Sequence, residues 1–97
     1  MNVKQMMKQA QQMQERMQRE LAEMVVEASV GGGMVTVRMS GHKQLLGVTL
    51  EPDVLDPKDP GMLQDLILSA VNEAARKVDE ALQSKLGALG AGMPGLF

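Results

Sequence analysis

Three runs rich in β-branched and aliphatic residues occupy residues 24–51 and are separated by turns of only about three residues. The runs are 24–30, 34–40 and 44–51, and glycine-containing turns at 31–33 and 41–43 separate them. Parallel strands need a crossover connection of a dozen or more residues, so these short turns exclude a parallel arrangement. The sequence therefore predicts an antiparallel three-stranded meander.

Two of the runs alternate apolar with polar or small residues, which is typical of strands with one buried face. In the second run the apolar positions are Val35, Val37 and Met39. In the third run they are Leu46, Val48 and Leu50. We expect helices to cover the face that these side chains share.

A long amphipathic helix is predicted before the meander, over residues 2–24. Its apolar residues recur at steps of mostly three and four, as one helix face requires: Val3, Met6, Met7, Ala10, Met13, Met17, Leu21 and Met24. At 1.5 Å per residue this helix spans about 35 Å, whereas a seven-residue strand spans about 23 Å. Roughly a third of the Met stripe is therefore expected to overshoot the sheet.

A second long helix is predicted after the meander. Asp59 is placed as its N-cap and Pro60 as its first helical residue, and the apolar periodicity continues to Leu86. The tail 87–97 holds four glycines and Pro94 and no charged residue, so we expect a flexible segment there. The organisation is thus one α+β domain over residues 1–86, with the order α-β-β-β-α, followed by the tail.

The core that this chain can build by itself is thin. With 97 residues and Phe97 as the single aromatic, the apolar content depends on ten Met together with Leu, Val and Ala. An exposed Met stripe needs a partner, and a second copy of the chain is the simplest one. We expect a homodimer with Met6, Met13 and Met17 in its seam, and the sheet edges compete for the same role.

Several kinds of active site are disfavoured by the sequence. The absence of Cys and the single histidine, His42, exclude disulfides and intrachain zinc sets. His42 is interpreted as a solvated turn residue, and the glycines at 31–33 as a hairpin turn rather than a phosphate loop, because a strand follows them. Asp53, Asp56 and Asp59 are interpreted as capping residues rather than cation ligands. No enzyme activity, metal or cofactor is expected, and no export signal or membrane span is visible.

The net charge of -2 conceals a separation of basic from acidic residues. Through residue 19 the chain carries four bases against the single acid Glu15. At 100° per residue the bases fall between about 0° and 120°, whereas the apolar stripe lies between about 180° and 300°. This basic and glutamine-rich face is either a DNA-binding surface or an ordinary solvated face, and the composition alone favours the second.

Residues 7–17, MKQAQQMQERM, resemble the opening helix of the YbaB/EbfC nucleoid-associated proteins. Further matching segments follow in the same order: GMVTV at 33–37, Gly41, VTLEP at 48–52, Asp65-Leu66, AVNEAARK at 70–77 and GMPGLF at 92–97. Nearly the whole chain is covered, and the opening run at 7–17 and the segment at 70–77 are the most specific.

The resemblance implies a small bacterial protein of the cytoplasm and nucleoid, dimeric with projecting helical arms, that binds double-stranded DNA and has no attributed enzyme activity. We expect low sequence preference and phosphate contacts from the arms. The alternative is a protein-interaction module that holds a recombination or replication protein through its Met-rich helices. The resemblance assigns DNA contacts to Lys8, Arg16, Arg76 and Lys77, and the helical wheel adds Lys4 and Arg19.

Overall fold

The structure, a computed structural model, describes residues 2–91, with side chains described through residue 87. Its elements follow the predicted order α-β-β-β-α. They are helix α1 (Val3–Glu23), strands β1 (Val25–Val30), β2 (Val35–Ser40) and β3 (Leu45–Leu50), and helix α2 (Pro60–Ala91). The α+β class and the three-stranded meander are therefore confirmed.

The sheet is antiparallel, with β2 between β1 and β3. The first turn is closed by three consecutive glycines, Gly31, Gly32 and Gly33, all with positive φ, which glycine adopts at little cost. The hairpin interpretation of these glycines is thus confirmed. In the second hairpin the pairing shifts between Arg38 and Met39, as in a β-bulge.

The core lies between α2 and one face of β1 and β2. The alternation in β2 is confirmed, because its three apolar side chains are buried and its intervening Arg38 is exposed. Small residues on α2 allow the helix to approach the sheet closely. The buried cluster comprises Ala28, Val35, Val37, Met39, Ala70, Ala74 and Val78.

The first helix departs from the sequence expectation. Two thirds of its apolar stripe was expected to pack on the sheet, but α1 contains no buried residue and contacts mainly the end of β2. The reason is that α2 already occupies the apolar face of β1 and β2, so α1 projects from the sheet as an arm. The chain is consequently elongated, with extents of 68 × 24 × 16 Å.

The third strand also differs from its prediction. Leu46 and Val48 were expected to be buried, yet both are about half exposed, and so is Leu45. Two causes act together: α2 packs mainly on the other two strands, and the bulge pairs Leu45 rather than Leu46 with Met39. The apolar side of β3 is left largely uncovered within one chain.

The connection into α2 matches the predicted loop and adds a short 3₁₀ turn at Pro52–Val54. Asp59 acts as the N-cap that the sequence predicts, since its Oδ1 accepts a hydrogen bond of 3.2 Å from the backbone N–H of Met62. At the other end α2 continues to Ala91, five residues past the expected end at Leu86. Alanine and leucine are good helix formers, which favours this extension. The rest of the predicted tail, 92–97, lies outside the described residues.

Candidate nucleic-acid interface

Helix α1 presents its four basic residues to solvent. Lys4, Lys8, Arg16 and Arg19 are all exposed. The helix begins with a side-chain cap, because Asn2 Oδ1 accepts a 3.0 Å hydrogen bond from the backbone N–H of Lys4. The basic face therefore lies on a helix that is regular from its first turn.

The charges on this face are not neutralised within the chain. Among residues 2–87, whose side chains the structure describes, none of the four α1 bases forms an ion pair with an acidic side chain. Phosphate groups of a ligand could thus bind these four basic groups without first breaking an ion pair among the described side chains. Such groups are the ones that release counterions when they bind a nucleic-acid backbone.

Glutamines extend the polar character of the same arm. Gln5, Gln9 and Gln12 surround Lys8 in a shallow polar depression. A second depression, farther along the helix, is lined by Gln11, Gln14, Glu15, Gln18 and Arg19. Amide side chains donate hydrogen bonds to phosphate oxygens and also pair with base edges, so these surfaces suit a nucleic-acid backbone chemically.

Arg76 on α2 has a different environment. Its Nε donates a 3.0 Å hydrogen bond to Glu73, and its terminal nitrogens pair with Glu73 and Glu80. These contacts raise the pKa of Arg76 further above its ordinary value, and the hydrogen bond from Arg76 lowers the pKa of Glu73. Two carboxylates around one guanidinium leave a local excess of negative charge.

Lys77 is also engaged within the chain. Its Nζ donates a 2.8 Å hydrogen bond to the carbonyl oxygen of Glu27 in β1. The structure thus brings Lys4, Lys8, Arg16 and Arg19 together on one helix and places Arg76 and Lys77 apart from them. The DNA-binding assignment of those two α2 residues stays a prediction.

The three Met residues assigned to the dimer seam are not buried within the chain. Met13 is 71% exposed and Met6 is 48% exposed, whereas Met17 is partly covered. Within the part of the chain that the structure describes, Met6 and Met13 are left exposed, so this stripe is available to a partner. The seam assignment stays a prediction.

The remaining candidate groups show no catalytic arrangement. His42 is exposed in its turn, and its Nε2 lies 3.3 Å from the carbonyl oxygen of Gln18. Within the described part of the chain, no cluster of three or more His, Asp or Glu side chains could hold a metal ion. Nor does a helix in that part of the chain have the length and apolar content to cross a membrane.

Sequence reasoning missed two features near the arm. One is the uncovered apolar side of β3, which follows from the packing of α2 on the other two strands and from a bulge that no residue pattern indicates. The other is the close packing of α1 on Gly41 in the turn between β2 and β3. The glycine itself was visible in the sequence, but a glycine in a turn gives no sign of a helix lying against it.

Fold and charge together define a class of protein: a small α+β chain with a projecting basic helix suited to a nucleic-acid backbone. A family model described as the YbaB/EbfC DNA-binding family matches residues 1–93. The chain belongs to this family of nucleoid-associated DNA-binding proteins, as the sequence resemblance implied. It is not a family of enzymes.

Individual relatives agree with this membership. The chain is 53% identical to a protein named nucleoid-associated protein from Acetivibrio thermocellus, over 99% of this chain and 90% of the relative. It is 46% identical to a protein of the same name from Chloroflexus aurantiacus, over the full length of both. The fold resembles the crystal structure of uncharacterized protein HP0035 from Helicobacter pylori, with a TM-score of 0.67 at 19% identity. That match covers 87% of this chain and 98% of the other.

Proposed function

We propose that this chain acts as a homodimer that binds double-stranded DNA through phosphate contacts from its two α1 helices, with low sequence preference. One observation carries the proposal: α1 exposes four bases that have no acidic partner among the described side chains. Its place would be the nucleoid in the bacterial cytoplasm, with roles in nucleoid organisation and gene regulation. Membership of a nucleoid-associated DNA-binding family supports this setting.

The dimer is supported by the surface that one chain leaves uncovered. A compact monomer of this mass exposes about 5,400 Å², whereas this chain exposes 7282 Å². Its radius of gyration is 18.9 Å, against about 12.5 Å for a compact domain of this length. The excess includes the Met stripe of α1 and the apolar side of β3, so a second copy that covers both would remove much apolar area from water.

Within the proposed DNA-binding set, the α1 residues would carry most of the binding. Arg76 and Lys77 already have partners, and contact with DNA would require them to exchange these for phosphate oxygens. Arg76 also lies between two carboxylates that repel a phosphate. We therefore assign the dominant contacts to Lys4, Lys8, Arg16 and Arg19.

The DNA-binding part of the proposal is tested by charge reversal on the arm. Arg16→Glu is compared with Lys58→Glu, which makes the same charge change at an exposed position in the loop before α2. Duplex binding is followed by fluorescence anisotropy across a salt series. Because each phosphate contact contributes about 0.9 to the slope of log K against log salt, losing one contact per protomer should reduce the slope by about 2 for Arg16→Glu. The slope of Lys58→Glu should remain that of the parent protein, and equal slopes for both variants would refute the assignment to α1.

The dimer is tested by sedimentation equilibrium at micromolar concentration. The parent protein should show twice the chain mass, and Met13→Glu should dissociate because it places a charge in the proposed seam. Gln12→Glu is the matched control, since it adds the same charge on the polar side of the same helix. A monomeric parent protein would exclude the dimer.

The exposed Met stripe also supports a second candidate function. A helix of a recombination or replication protein could pack against this stripe, because Met side chains adapt to varied apolar surfaces. Affinity capture from a nuclease-treated lysate separates the two proposals. A protein partner that survives nuclease and is lost with Met13→Glu would favour the interaction module.

A further inference from the structure

The C-terminal end of α1 is capped by the turn between β2 and β3. The backbone N–H of Gly41 donates to the carbonyl oxygens of Leu21 at 2.9 Å and Met24 at 3.1 Å. The last carbonyl groups of a helix lack partners within the helix, so these hydrogen bonds satisfy groups that would otherwise depend on water. The turn therefore fixes the point from which the arm projects.

Gly41 is buried, and a side chain there has no space. A Cβ atom at this position would lie 2.6 Å from the carbonyl oxygen of Leu21 and 3.0 Å from its Cα. Both atoms belong to the backbone of α1, so the conflict cannot be relieved by rotating a side chain. The φ of Gly41 is outside the left-handed region, which means that glycine is needed for this approach and not for its conformation.

The turn that receives α1 is itself held firmly. Ser40 is 2% exposed, and its Oγ accepts hydrogen bonds from the backbone N–H groups of His42 at 3.2 Å and Gln44 at 3.3 Å. Its own backbone N–H donates to the carbonyl oxygen of Gln44 at 2.9 Å. Because this turn is rigid, a steric conflict at Gly41 should displace the helix and not the turn.

Two further polar contacts of this end of α1, both with residues that the structure describes, are exposed. Lys85 Nζ lies 3.5 Å from Glu20, with both side chains nearly half exposed, and exposed pairs of this kind contribute little stability. His42 Nε2 lies 3.3 Å from the carbonyl oxygen of Gln18, which is longer than either hydrogen bond of Gly41. The hydrogen bonds and the close approach at Gly41 are thus buried contacts that join this end of α1 to the turn.

We propose that Gly41 is a positioning residue for DNA binding: its lack of a side chain sets the direction of the basic arm. This inference rests on the proposed function of α1. The first turn of α1 lies about 27 Å from Leu21 at 1.5 Å per residue. A small tilt at Gly41 therefore moves Lys4 and Lys8 by several ångströms while leaving the buried cluster between α2 and the sheet in place.

The test compares Gly41→Ala with Gly47→Ala in the full chain. Gly47 is the matched control, because nothing lies within 4 Å of a Cβ atom built there and its φ is not in the left-handed region. The chain has no cysteine, so Gln9→Cys on α1 and Ser69→Cys on α2 supply unique sites for spin labels. Labelled protein is diluted with unlabelled protein, so that double electron–electron resonance reports the distance within one chain.

Gly41→Ala should shift this distance distribution in the absence of DNA, and should weaken duplex binding by about tenfold with a reduced salt slope. Gly47→Ala should change neither. Both variants should keep the α2 and sheet signals of the parent protein in amide NMR spectra. An unchanged distance in folded Gly41→Ala protein would overturn the proposal, and so would a shifted distance with unchanged DNA affinity.

A second variant keeps the proposal testable where Gly41→Ala does not fold. Ser40→Ala removes the hydroxyl that holds the turn and introduces no steric conflict, so the distance distribution should broaden and the DNA affinity should fall. A distribution as narrow as that of the parent protein would count against the turn as the determinant of arm direction. The distance measurement uses no DNA, so it separates this inference from the charge-reversal test of α1.

Discussion

Lys77 Nζ donates a hydrogen bond of 2.8 Å to the main-chain carbonyl oxygen of Glu27, which ties the middle of α2 to the edge strand β1. The contact lies at the rim of the buried cluster between α2 and the sheet. A lysine that interacts across 50 positions of sequence has a structural partner that no local pattern reveals.

Lys77→Ala should therefore reduce stability more than it reduces DNA binding. We expect a loss of about 1 kcal/mol in the free energy of unfolding, the usual contribution of a hydrogen bond made in the folded state. Urea denaturation at fixed protein concentration measures this loss, and Lys58→Ala is the control, as an exposed loop lysine. In the DNA titration Lys77→Ala should reduce the salt slope less than Lys8→Ala does. An equal slope reduction in both variants would return Lys77 to the DNA-binding surface.

The carboxyl group of Glu73 should titrate below its ordinary pKa because the Arg76 guanidinium donates a hydrogen bond to it. A carboxyl whose pKa is lowered on folding stabilises the folded state above its unfolded pKa, and this contribution disappears as the pH falls through the folded value. The relevant window thus lies below pH 4.5, the ordinary value for this group. A carbon-detected NMR titration of Glu73 measures the shift. In Arg76→Gln the Glu73 pKa should return toward its ordinary value, while an unchanged low value would assign the shift to another cause.

Much of the fold is readable from the sequence, because local rules govern it. Short glycine turns impose the meander, and Asp59 with Pro60 marks the start of α2. The position of α1 was not predictable in the same way, since its Met stripe is compatible with packing on the sheet or with projecting from it. Whether α1 packs on the sheet or projects from it depends on α2, which covers the apolar sheet face. This is a tertiary effect.

In the candidate site, too, some features follow from local sequence patterns and others depend on tertiary packing. The basic face of α1 follows from helical periodicity, which is why the sequence alone places Lys4, Lys8, Arg16 and Arg19 on one side of a helix. The partners of Arg76 follow helical spacing too, since Glu73 and Glu80 lie three and four positions away. The contact of Lys77 and the packing at Gly41 join distant parts of the chain, and only the three-dimensional structure reveals them.

Gly32→Ala should destabilise the protein even though the space around Gly32 is open. Nothing lies within 4 Å of a Cβ atom at this position, but its φ is +67°, which an alanine adopts at a cost of about 1 kcal/mol. Gly47→Ala is the control for the same chemical change at a position with ordinary φ, where it should have no adverse effect. Thermal denaturation of the two variants side by side checks the prediction. A Gly32→Ala protein as stable as the parent would mean that the turn relaxes to another conformation.

Val37→Ala and Val48→Ala should separate the core of one chain from the proposed seam between two. Val37 is fully buried beneath α2, so its truncation should cost about 2 kcal/mol of folding free energy. Val48 is 46% exposed on the uncovered side of β3, so the same truncation removes less area buried within the chain. If a second copy covers β3, Val48→Ala should weaken self-association in sedimentation equilibrium, whereas Val37→Ala should leave the association constant of the folded protein unchanged. A Val48→Ala protein that associates as strongly as the parent would confine the seam to the Met stripe of α1.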